Sequence, residues 1–347
     1  PCRGGGQRPA AQMALTVNYN DQGMPDSVPT YLFDQAETYK ENPRDAALEW
    51  FSSAIMGISV HFGLSALLGK GEDPAGTLDA QQYLELPKRF RCENFDAIDI
   101  VEMTIAAGAR YILFPAVLPD GFCLYATKTT DFSSLTSLAN RDLVGELAST
   151  CEFHGIGLFL EYPFGVNRHV HPDGVPTGVM AQTEYQNLVK DQLHELLTQY
   201  GPVAGISFTG RENLAGRKPA FDIGDIYRMI RFLQPNALVS FREGATGEED
   251  FFSVLDITDK SGHYGANTTQ PVEIRRCLCG GDDRGFFPER AGSHLRLEQV
   301  WAELKEAHLA NANLQVNTAL MPDGSLDLED IKTLLAVGER MEKEGRP

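Results

Sequence analysis

Short apolar segments alternate along this chain with longer segments in which apolar residues recur every three or four positions. The apolar segments are too short to be typical helices, and they lack the strict alternation of a half-exposed strand. They therefore predict strands that are covered on both faces, as in a parallel sheet. Seven such segments lie at residues 54–60, 110–117, 156–161, 203–208, 237–241, 254–257 and 313–317.

The segments between these predicted strands show the spacing of amphipathic helices. One helix is expected to stop at Gly108, a natural residue for a helix C-terminus, and another before Pro235, which cannot continue a helix. We predict that the apolar stripes are the buried faces of these helices. The three clearest stripes are Ile98, Val101 and Ile105; Ile226, Met229, Ile230 and Leu233; and Leu297, Val300, Trp301 and Leu304.

Strand–helix alternation over about 300 residues is typical of a (β/α)8 barrel or of a doubly wound sheet. A glycine-rich phosphate loop does not follow the first predicted strand, which lowers the dinucleotide-binding alternative. The sequence therefore predicts an α/β chain with a single (β/α)8 TIM-like barrel over residues 31–345, after a flexible leader at residues 1–30. Its active site would lie at the C-terminal ends of the strands.

Composition and charge limit the classes of partner that this chain is expected to bind. The 347 residues carry a formal net charge of -18 at pH 7, so nucleic acid is not an expected partner because its phosphates would be repelled. No apolar run approaches the ~20 residues of a membrane helix, so no membrane partner is expected. The start of the sequence has arginines but no apolar run after them, which favours a cytoplasmic location unless a signal was removed. A homo-oligomer remains open.

Cysteine and histidine motifs do not predict a metal site or a cofactor. The six cysteines form no compact disulfide framework, and Cys277-Leu278-Cys279 is an isolated C-x-C where structural zinc needs four ligands. Buried free thiols are the preferred interpretation. The pair His169 and His171 could offer two metal ligands, but no third and fourth ligand are identified.

Polar and aromatic residues follow the predicted strands, where a barrel would bring them to one rim. Carboxylates and histidines can bond sugar hydroxyls, aromatic rings can cover the apolar sugar face, and an arginine can anchor a carboxylate, so a small carbohydrate or glycoside is the expected ligand. His61 could instead satisfy buried backbone groups, Asp120 could only close a turn, and Arg242 could pair with a nearby acid. The candidates are His61, Phe62, Glu72, Asp120, Glu161, Tyr162, Thr209, Arg242, Glu249, His263 and Glu273.

Several segments, in order, resemble the catalytic domain of the α-L-fucosidases of glycoside hydrolase family 29. The segment EWFSSAIMGISVHFG is similar to the family's opening W-F-x-x-x-K-F-G-I-F-x-H-W-G, and AGARYILFPAVLPDGF is similar to its segment that ends in H-H-D-G-F. QLHELLTQYGPVAGISFTG resembles Q-L-x-E-L-L-x-x-Y-G-P followed by W-F-D-G, and ANLQVNTALMPDGSL resembles the closing motif. The resemblance covers residues 45–342 and implies a (β/α)8-like barrel with retaining hydrolysis of α-L-fucosides.

This chain departs from the family pattern at positions that matter for catalysis. A retaining glycosidase needs a carboxylate nucleophile and a second carboxyl group as acid/base. The resemblance places the nucleophile at the Asp of W-F-D-G, and the matching residue here is Thr209. Leu118 and Pro119 stand at the paired histidines of H-H-D-G-F, and Leu160 stands where a tyrosine is expected.

Other family positions are retained, and they keep a polar ligand in the prediction. These are His61, Glu72, Arg242 and Glu273. The chain is expected to carry no C-terminal β-sandwich of the kind that family members often have. The segment at residues 167–180 is interpreted either as a lid over the site or as a plain surface loop.

Two hypotheses of function follow, with a third left open. In the first, a divergent glycoside hydrolase uses Glu161 or Glu212 in place of the missing nucleophile and Glu273 or Glu249 as the proton donor. Glu161 could instead be paired with Arg168 or Arg242. In the second, the barrel is a catalytically deficient sugar- or metabolite-binding protein. Chemistry other than hydrolysis remains open, because a fold does not fix a reaction.

Overall fold

The computed structural model of this chain describes residues 27–71, 78–167, 169, 179–210, 222–256, 258, 269–281 and 283–347. This part of the chain forms an alternating series of strands and helices. The strands are β1 (Met56–His61), β2 (Tyr111–Pro115), β3 (Gly157–Pro163), β4 (Gly205–Thr209), β5 (Leu238–Ser240), β6 (Phe252–Val254), β7 (Val272–Cys277) and β8 (Asn313–Ala319). The α-helices are α1 (Ala36–Glu41), α2 (Pro43–Ser52), α3 (Ala80–Leu84), α4 (Ala97–Ala106), α5 (Leu143–His154), α6 (Val179–Gln199), α7 (Ile223–Leu233), α8 (Leu297–Leu309) and α9 (Leu328–Glu344).

The strands form one parallel sheet that curls into a nearly closed barrel. Their order is β5-β4-β3-β2-β1-β8-β7-β6, so β1 lies between β2 and β8. The two edge strands meet through a parallel bridge between Ser240 and Phe251, and the backbone N–H of Ser253 donates to the carbonyl of Arg242 at 3.0 Å. The predicted (β/α)8 barrel is confirmed.

The apolar segments predicted most of the strands, with two exceptions. The segment at 254–257 was predicted two residues late, because β6 is Phe252–Val254. Strand β7 was not predicted, because its inward-facing positions carry Glu273 and Arg275 rather than apolar residues. A charged barrel interior therefore removed the signal that identified the other strands.

Several helices begin at side-chain caps, as in α4, where the Asp96 carboxylate accepts from the backbone N–H of Ile98 at 2.8 Å. The predicted buried stripe of this helix was partly wrong. Only Val101 of the three stripe residues is buried, whereas Ile98 is 52% exposed and Ile105 is 44% exposed. The helix is rotated so that its buried face is formed by other residues, namely Ala97, Ile100, Val101, Met103 and Thr104. Within the described ranges, no helix has the length and apolar character needed to cross a bilayer.

Aromatic side chains close the N-terminal end of the barrel. Helix α2 places Trp50 and Phe51 beneath the strands, and both are fully buried. Phe51 lies 4.2 Å from Phe251, measured between ring centroids, and Trp50 stacks on Phe159 at 6.3 Å. β3 begins with Gly157 because a Cβ there would lie 2.3 Å from the Trp50 ring. This aromatic floor fills the N-terminal end of the barrel interior.

Candidate active site

Strand alternation decides which residues face the barrel interior. Phe159 belongs to the aromatic floor, and side chains along a strand point alternately to opposite faces, so Glu161 also faces inward on β3. On β4, Ser207 pairs with Glu161, and Thr209 is the next inward position toward the C-terminal end. His61 lies at the end of β1 on the face that carries Ser59. The structure therefore brings Glu161, Thr209 and His61 to one end of the interior.

Thr209 is a buried residue at the mouth of the barrel. Only 6% of its surface is exposed, and its carbonyl accepts from the backbone N–H of Phe164 at 2.7 Å. A threonine hydroxyl has no charge and is a weak nucleophile without an adjacent base. The inward end of β4 thus carries no carboxylate.

The nearest inward acid on the neighbouring strand, Glu161, is held by a buried arginine. Arg284 comes from the loop after β7 and crosses the mouth to reach β3. Its Nη1 donates to Oε2 of Glu161 at 2.6 Å, and its Nη2 donates to Oε1 at 2.9 Å. Both residues are 6% exposed. Of the two partners considered from the sequence, Arg168 lies outside the described residues, and among the described arginines the one that binds Glu161 is Arg284 instead of Arg242.

Glu273 faces the interior from β7, below this ion pair. Its carboxylate accepts from the Tyr111 hydroxyl at 2.8 Å, the Ser253 hydroxyl at 2.5 Å and the Gln315 amide at 2.8 Å. Burial raises the pKa of Glu273, and the hydrogen bonds from Ser253 and Tyr111 and the charge of Arg275 only partly offset this rise. A buried carboxyl group with a raised pKa tends toward its neutral form.

Replacing Glu273 with glutamine is expected to change how stability depends on pH. The ordinary pKa of 4.5 applies in the unfolded chain, and the folded pKa is higher. Stability due to neutral Glu273 is then fully present below pH 4.5 and is lost as the pH rises toward the folded pKa. The stability of E273Q relative to the parent should therefore rise between pH 4 and pH 8, measured by urea unfolding. A constant difference across this range would contradict the raised pKa.

A second arginine of β7 also faces the interior. Arg275 is 9% exposed, and its Nη2 lies 3.6 Å from Oε1 of Glu243, which follows β5. Burial and the positive charges of Arg242 and Arg284 lower the pKa of Arg275 to about 10, although Glu243 and Glu273 oppose this shift. Arg242 is half-buried and has a left-handed backbone with φ of 47°. The positive charges of Arg242, Arg275 and Arg284 therefore act at the same end of the barrel.

Other predicted site residues lie away from this interior. Tyr162 is on the outer face of β3, where its hydroxyl donates to Gln192 of α6 at 2.7 Å. Phe62 is fully buried and packs on Phe90, with ring centroids 5.1 Å apart. The structure does not bring Tyr162 or Phe62 to the residues around Thr209.

Glu249 organises a loop between β5 and β6. It accepts from the backbone N–H groups of Ala245, Thr246 and Gly247 and from the Tyr227 hydroxyl, at 2.8–3.0 Å. Burial alone would raise the pKa of Glu249, but these hydrogen bonds outweigh it and lower the pKa. Both carboxylate oxygens of Glu249 therefore already accept hydrogen bonds, and they lie on the outer side of β5 and β6.

Asp120 lies in the turn after β2 and is partly exposed. It accepts from the Tyr83 hydroxyl at 2.6 Å and from the backbone N–H of Phe122 at 2.8 Å. These contacts agree with the turn-closing alternative. Three further candidates, Glu72, Glu212 and His263, lie outside the described residues.

The metal motifs of the sequence can be placed only in part. His169 stacks on Phe132 with ring centroids 4.5 Å apart, and His171 lies outside the described residues, as does most of the segment at residues 167–180. Four of the five described cysteines are buried, and Cys279 is half-buried. Among the residues that the structure describes, the group able to hold a metal is His294, Asp327 and Asp330. There, His294 Nδ1 is already 2.7 Å from Oδ1 of Asp330.

The sequence identified Arg242 as a candidate but did not identify Arg275 and Arg284. The alternation of Glu273 and Arg275 at the start of β7 is a period of two, and it could have identified an inward-facing charged strand. Arg284 lies in a glycine-rich loop with no periodicity, so its contact with Glu161 had no signal in the sequence.

The chain has the architecture of (β/α)8 barrel enzymes. Its parallel strands close over an aromatic floor, and charged residues lie toward the C-terminal ends of the strands, where such enzymes have their active sites. The sequence model of the α-L-fucosidase family matches residues 31–346. The chain therefore belongs to the α-L-fucosidase family, and the resemblance seen in the sequence is confirmed.

Individual relatives agree with this assignment. The chain is 28% identical over 200 residues to alpha-L-fucosidase 1 of Arabidopsis thaliana, covering 57% of this chain and 36% of that protein. It is 27% identical over 201 residues to putative alpha-L-fucosidase 1 of Oryza sativa, covering 57% and 35%. The matches thus span about a third of the length of these relatives.

Solved structures share the fold. Alpha-L-fucosidase isoenzyme 1 of Paenibacillus thiaminolyticus superposes with a TM-score of 0.74 at 23% identity, covering 87% of this chain and 77% of that one. An alpha-L-fucosidase of Lactobacillus casei in complex with α-L-fucose gives 0.71 at 22% identity, covering 86% and 99%.

Proposed function

We propose that this chain binds a glycoside at the C-terminal mouth of its barrel, and that the retaining hydrolysis associated with its family is weak or lost. One observation carries the proposal: the inward end of β4 is Thr209, and the inward acid of the adjacent strand, Glu161, is held at both oxygens by Arg284. Family membership and the relative solved with α-L-fucose support a sugar as the ligand.

The chemistry of these residues explains the expected loss. A retaining glycosidase needs a carboxylate whose lone pairs can attack the sugar carbon. Two-point hydrogen bonding to a guanidinium occupies the oxygens of Glu161 and stabilises its charge, which makes it a poor nucleophile. Thr209 has an uncharged hydroxyl group, which is a weak nucleophile.

A divergent hydrolase is the second candidate, and the position of Glu273 favours it. This residue faces the interior, and its raised pKa favours the protonated form that a proton donor needs. The nucleophile would then be Glu161 released from Arg284, or Glu212. The hydroxyl groups of Tyr111 and Ser253 donate to Glu273 deep in the barrel, below its mouth, which makes this candidate the weaker one.

Restoring an acid at position 209 is expected to restore hydrolysis. The parent chain should release 4-nitrophenol from 4-nitrophenyl α-L-fucopyranoside near the background rate. T209D should raise the rate about tenfold or more, equivalent to ~1.4 kcal/mol of barrier, because it supplies a carboxylate at the inward end of β4. T209N, with a similar shape and no charge, is the matched control and should stay at background.

The same assay separates the two candidates. Parent turnover within the usual glycosidase range, on the order of 1 per second or faster, would reject the proposed loss of hydrolysis. If that turnover then disappeared in E212Q or E273Q, the divergent hydrolase would be the correct description. Sugar binding by calorimetry without turnover supports the binding protein.

A further inference from the structure

We propose that the sugar bound at the barrel mouth is anionic, and that its carboxylate or sulfate group is held by Arg275 together with Arg242. This inference rests on the glycoside-binding function proposed above and names the class of ligand.

The first observation is an arginine with unused donors in the barrel interior. Arg275 is buried, with 9% of its surface exposed. Its Nε and Nη2 atoms are buried and have no hydrogen-bond partner among the residues that the structure describes. The Nη2 atom lies 3.6 Å from Glu243, beyond hydrogen-bond distance. A buried charged donor without a partner is costly, so such groups mark places where a ligand can complete the hydrogen bonding.

The second observation is that the positive charges are concentrated at one place. Arg242 and Arg284 are close enough to act electrostatically on Arg275, and the Nε of Arg242 also lacks a hydrogen-bond partner within the described ranges. This cluster occurs in a chain with a formal net charge of -18. A local concentration of positive charge on an acidic protein favours an anion at that position.

The described acids of this region leave the Nε and Nη2 donors of Arg275 without a hydrogen bond. Glu161 is fully used by Arg284. Glu273 is hydrogen-bonded to neutral donors, the Tyr111 and Ser253 hydroxyls among them. Glu243 forms an ion pair with Arg275 at 3.6 Å without a hydrogen bond, and the negative charge of Glu273 also acts on Arg275. Thr209 adds no negative charge at the end of β4, so an anionic ligand meets no carboxylate there.

The chemistry of guanidinium selects the ligand group. Its planar arrangement of donors matches carboxylate, sulfate and phosphate groups, which accept two parallel hydrogen bonds. A neutral sugar offers uncharged hydroxyl groups, which cannot form the two parallel charge-assisted hydrogen bonds that an anionic group forms with a guanidinium. A uronate or a sulfated sugar therefore fits the described residues better than a neutral sugar.

Titration calorimetry on the full chain compares D-galacturonate with D-galactose, which differ by one carboxylate. We expect galacturonate to bind about tenfold more tightly or better, and to weaken when NaCl is raised from roughly 50 to 500 mM. R275Q should lose this preference while still binding galactose. R276Q is the matched control, because Arg276 is the next residue of β7 and faces outward, where its Nε donates to Glu303 at 2.8 Å; it should keep the preference.

Further measurements identify the anionic group and provide a test if the R275Q variant does not fold. Galactose 6-sulfate in the same titration distinguishes sulfate from carboxylate. Thermal melting compares the parent and R275Q in sodium sulfate and in NaCl at equal ionic strength. Sulfate should raise the melting temperature of the parent more than that of R275Q. The general exclusion of sulfate from protein surfaces acts on both proteins alike, so it does not produce this difference. R242Q, at a half-buried position, tests the cluster if R275Q does not fold.

The outcomes separate this inference from the proposed function. Equal affinity for galactose and galacturonate would overturn the anionic ligand and leave glycoside binding intact. Equal losses in R275Q and R276Q would assign Arg275 a structural role and overturn the inference. Selective stabilisation by sulfate with no sugar binding supports the anion site and rejects the glycoside. If neither sugars nor sulfate bind, both proposals fail.

Discussion

Replacing Arg284 with leucine is expected to lower the free energy of unfolding by about 3–5 kcal/mol, because it leaves a buried carboxylate without its partner. Glu161 and Arg284 are each 6% exposed, and the two hydrogen bonds between them measure 2.6 and 2.9 Å. Water cannot replace the guanidinium easily at such a site. Chemical denaturation at pH 7, followed by circular dichroism, measures the change.

Two variants show whether this loss comes from the ion pair. The double variant E161L/R284L removes both charges and should recover most of the stability that R284L loses, since a buried ion pair contributes little over apolar residues of similar size. R228L is the control, because Arg228 pairs with Asp222 at the surface, where their side chains are 63% and 67% exposed. A double variant no more stable than R284L would contradict this account.

Replacing Trp50 with alanine is expected to cost about 3–5 kcal/mol through loss of buried area and the cavity left behind. Trp50 is 1% exposed and contacts Tyr31 with ring centroids 4.6 Å apart. It also lies against β3, where Gly157 allows the ring to approach the backbone. The surrounding barrel strands cannot close over this space without breaking their pairing, so the cavity should persist.

The control for this prediction is F153A on α5. Phe153 is 82% exposed, so its removal should change stability by less than about 0.5 kcal/mol. Both variants are compared with the parent by denaturant titration. A loss below ~1 kcal/mol in W50A would mean that the aromatic floor does not support the barrel.

The sequence predicted the barrel because its strands are covered on both faces. Segments such as that of β4 contain Ile206 and Phe208, which pack outward against the helices, next to small or polar residues that face inward. The same reasoning failed at β7, where Glu273 and Arg275 occupy interior positions. The partners of an interior charge come from distant strands, so the local sequence pattern does not predict them.

The strand ends predicted a group of candidate site residues, and the tertiary structure decides which of them face the barrel interior. Thr209 and Glu161 follow from the alignment of strand ends, and the structure places both on the interior face. Tyr162 follows Glu161 directly, but strand alternation turns it toward α6. Glu249 is near the rim in sequence, but its loop uses its oxygens for backbone N–H groups.

What the sequence alone determined was the family, the strand–helix alternation and the neutral residue at the end of β4, because these depend on short segments and residue identity. What only the tertiary structure decided was the pairing of Glu161 with Arg284, 123 positions apart, and the unpaired donors of Arg275. Electrostatic partners are selected by distance in space. Closing eight strands into a cylinder brings residues from β3, β5 and β7 within reach of one another, and that closure is a property of the whole chain.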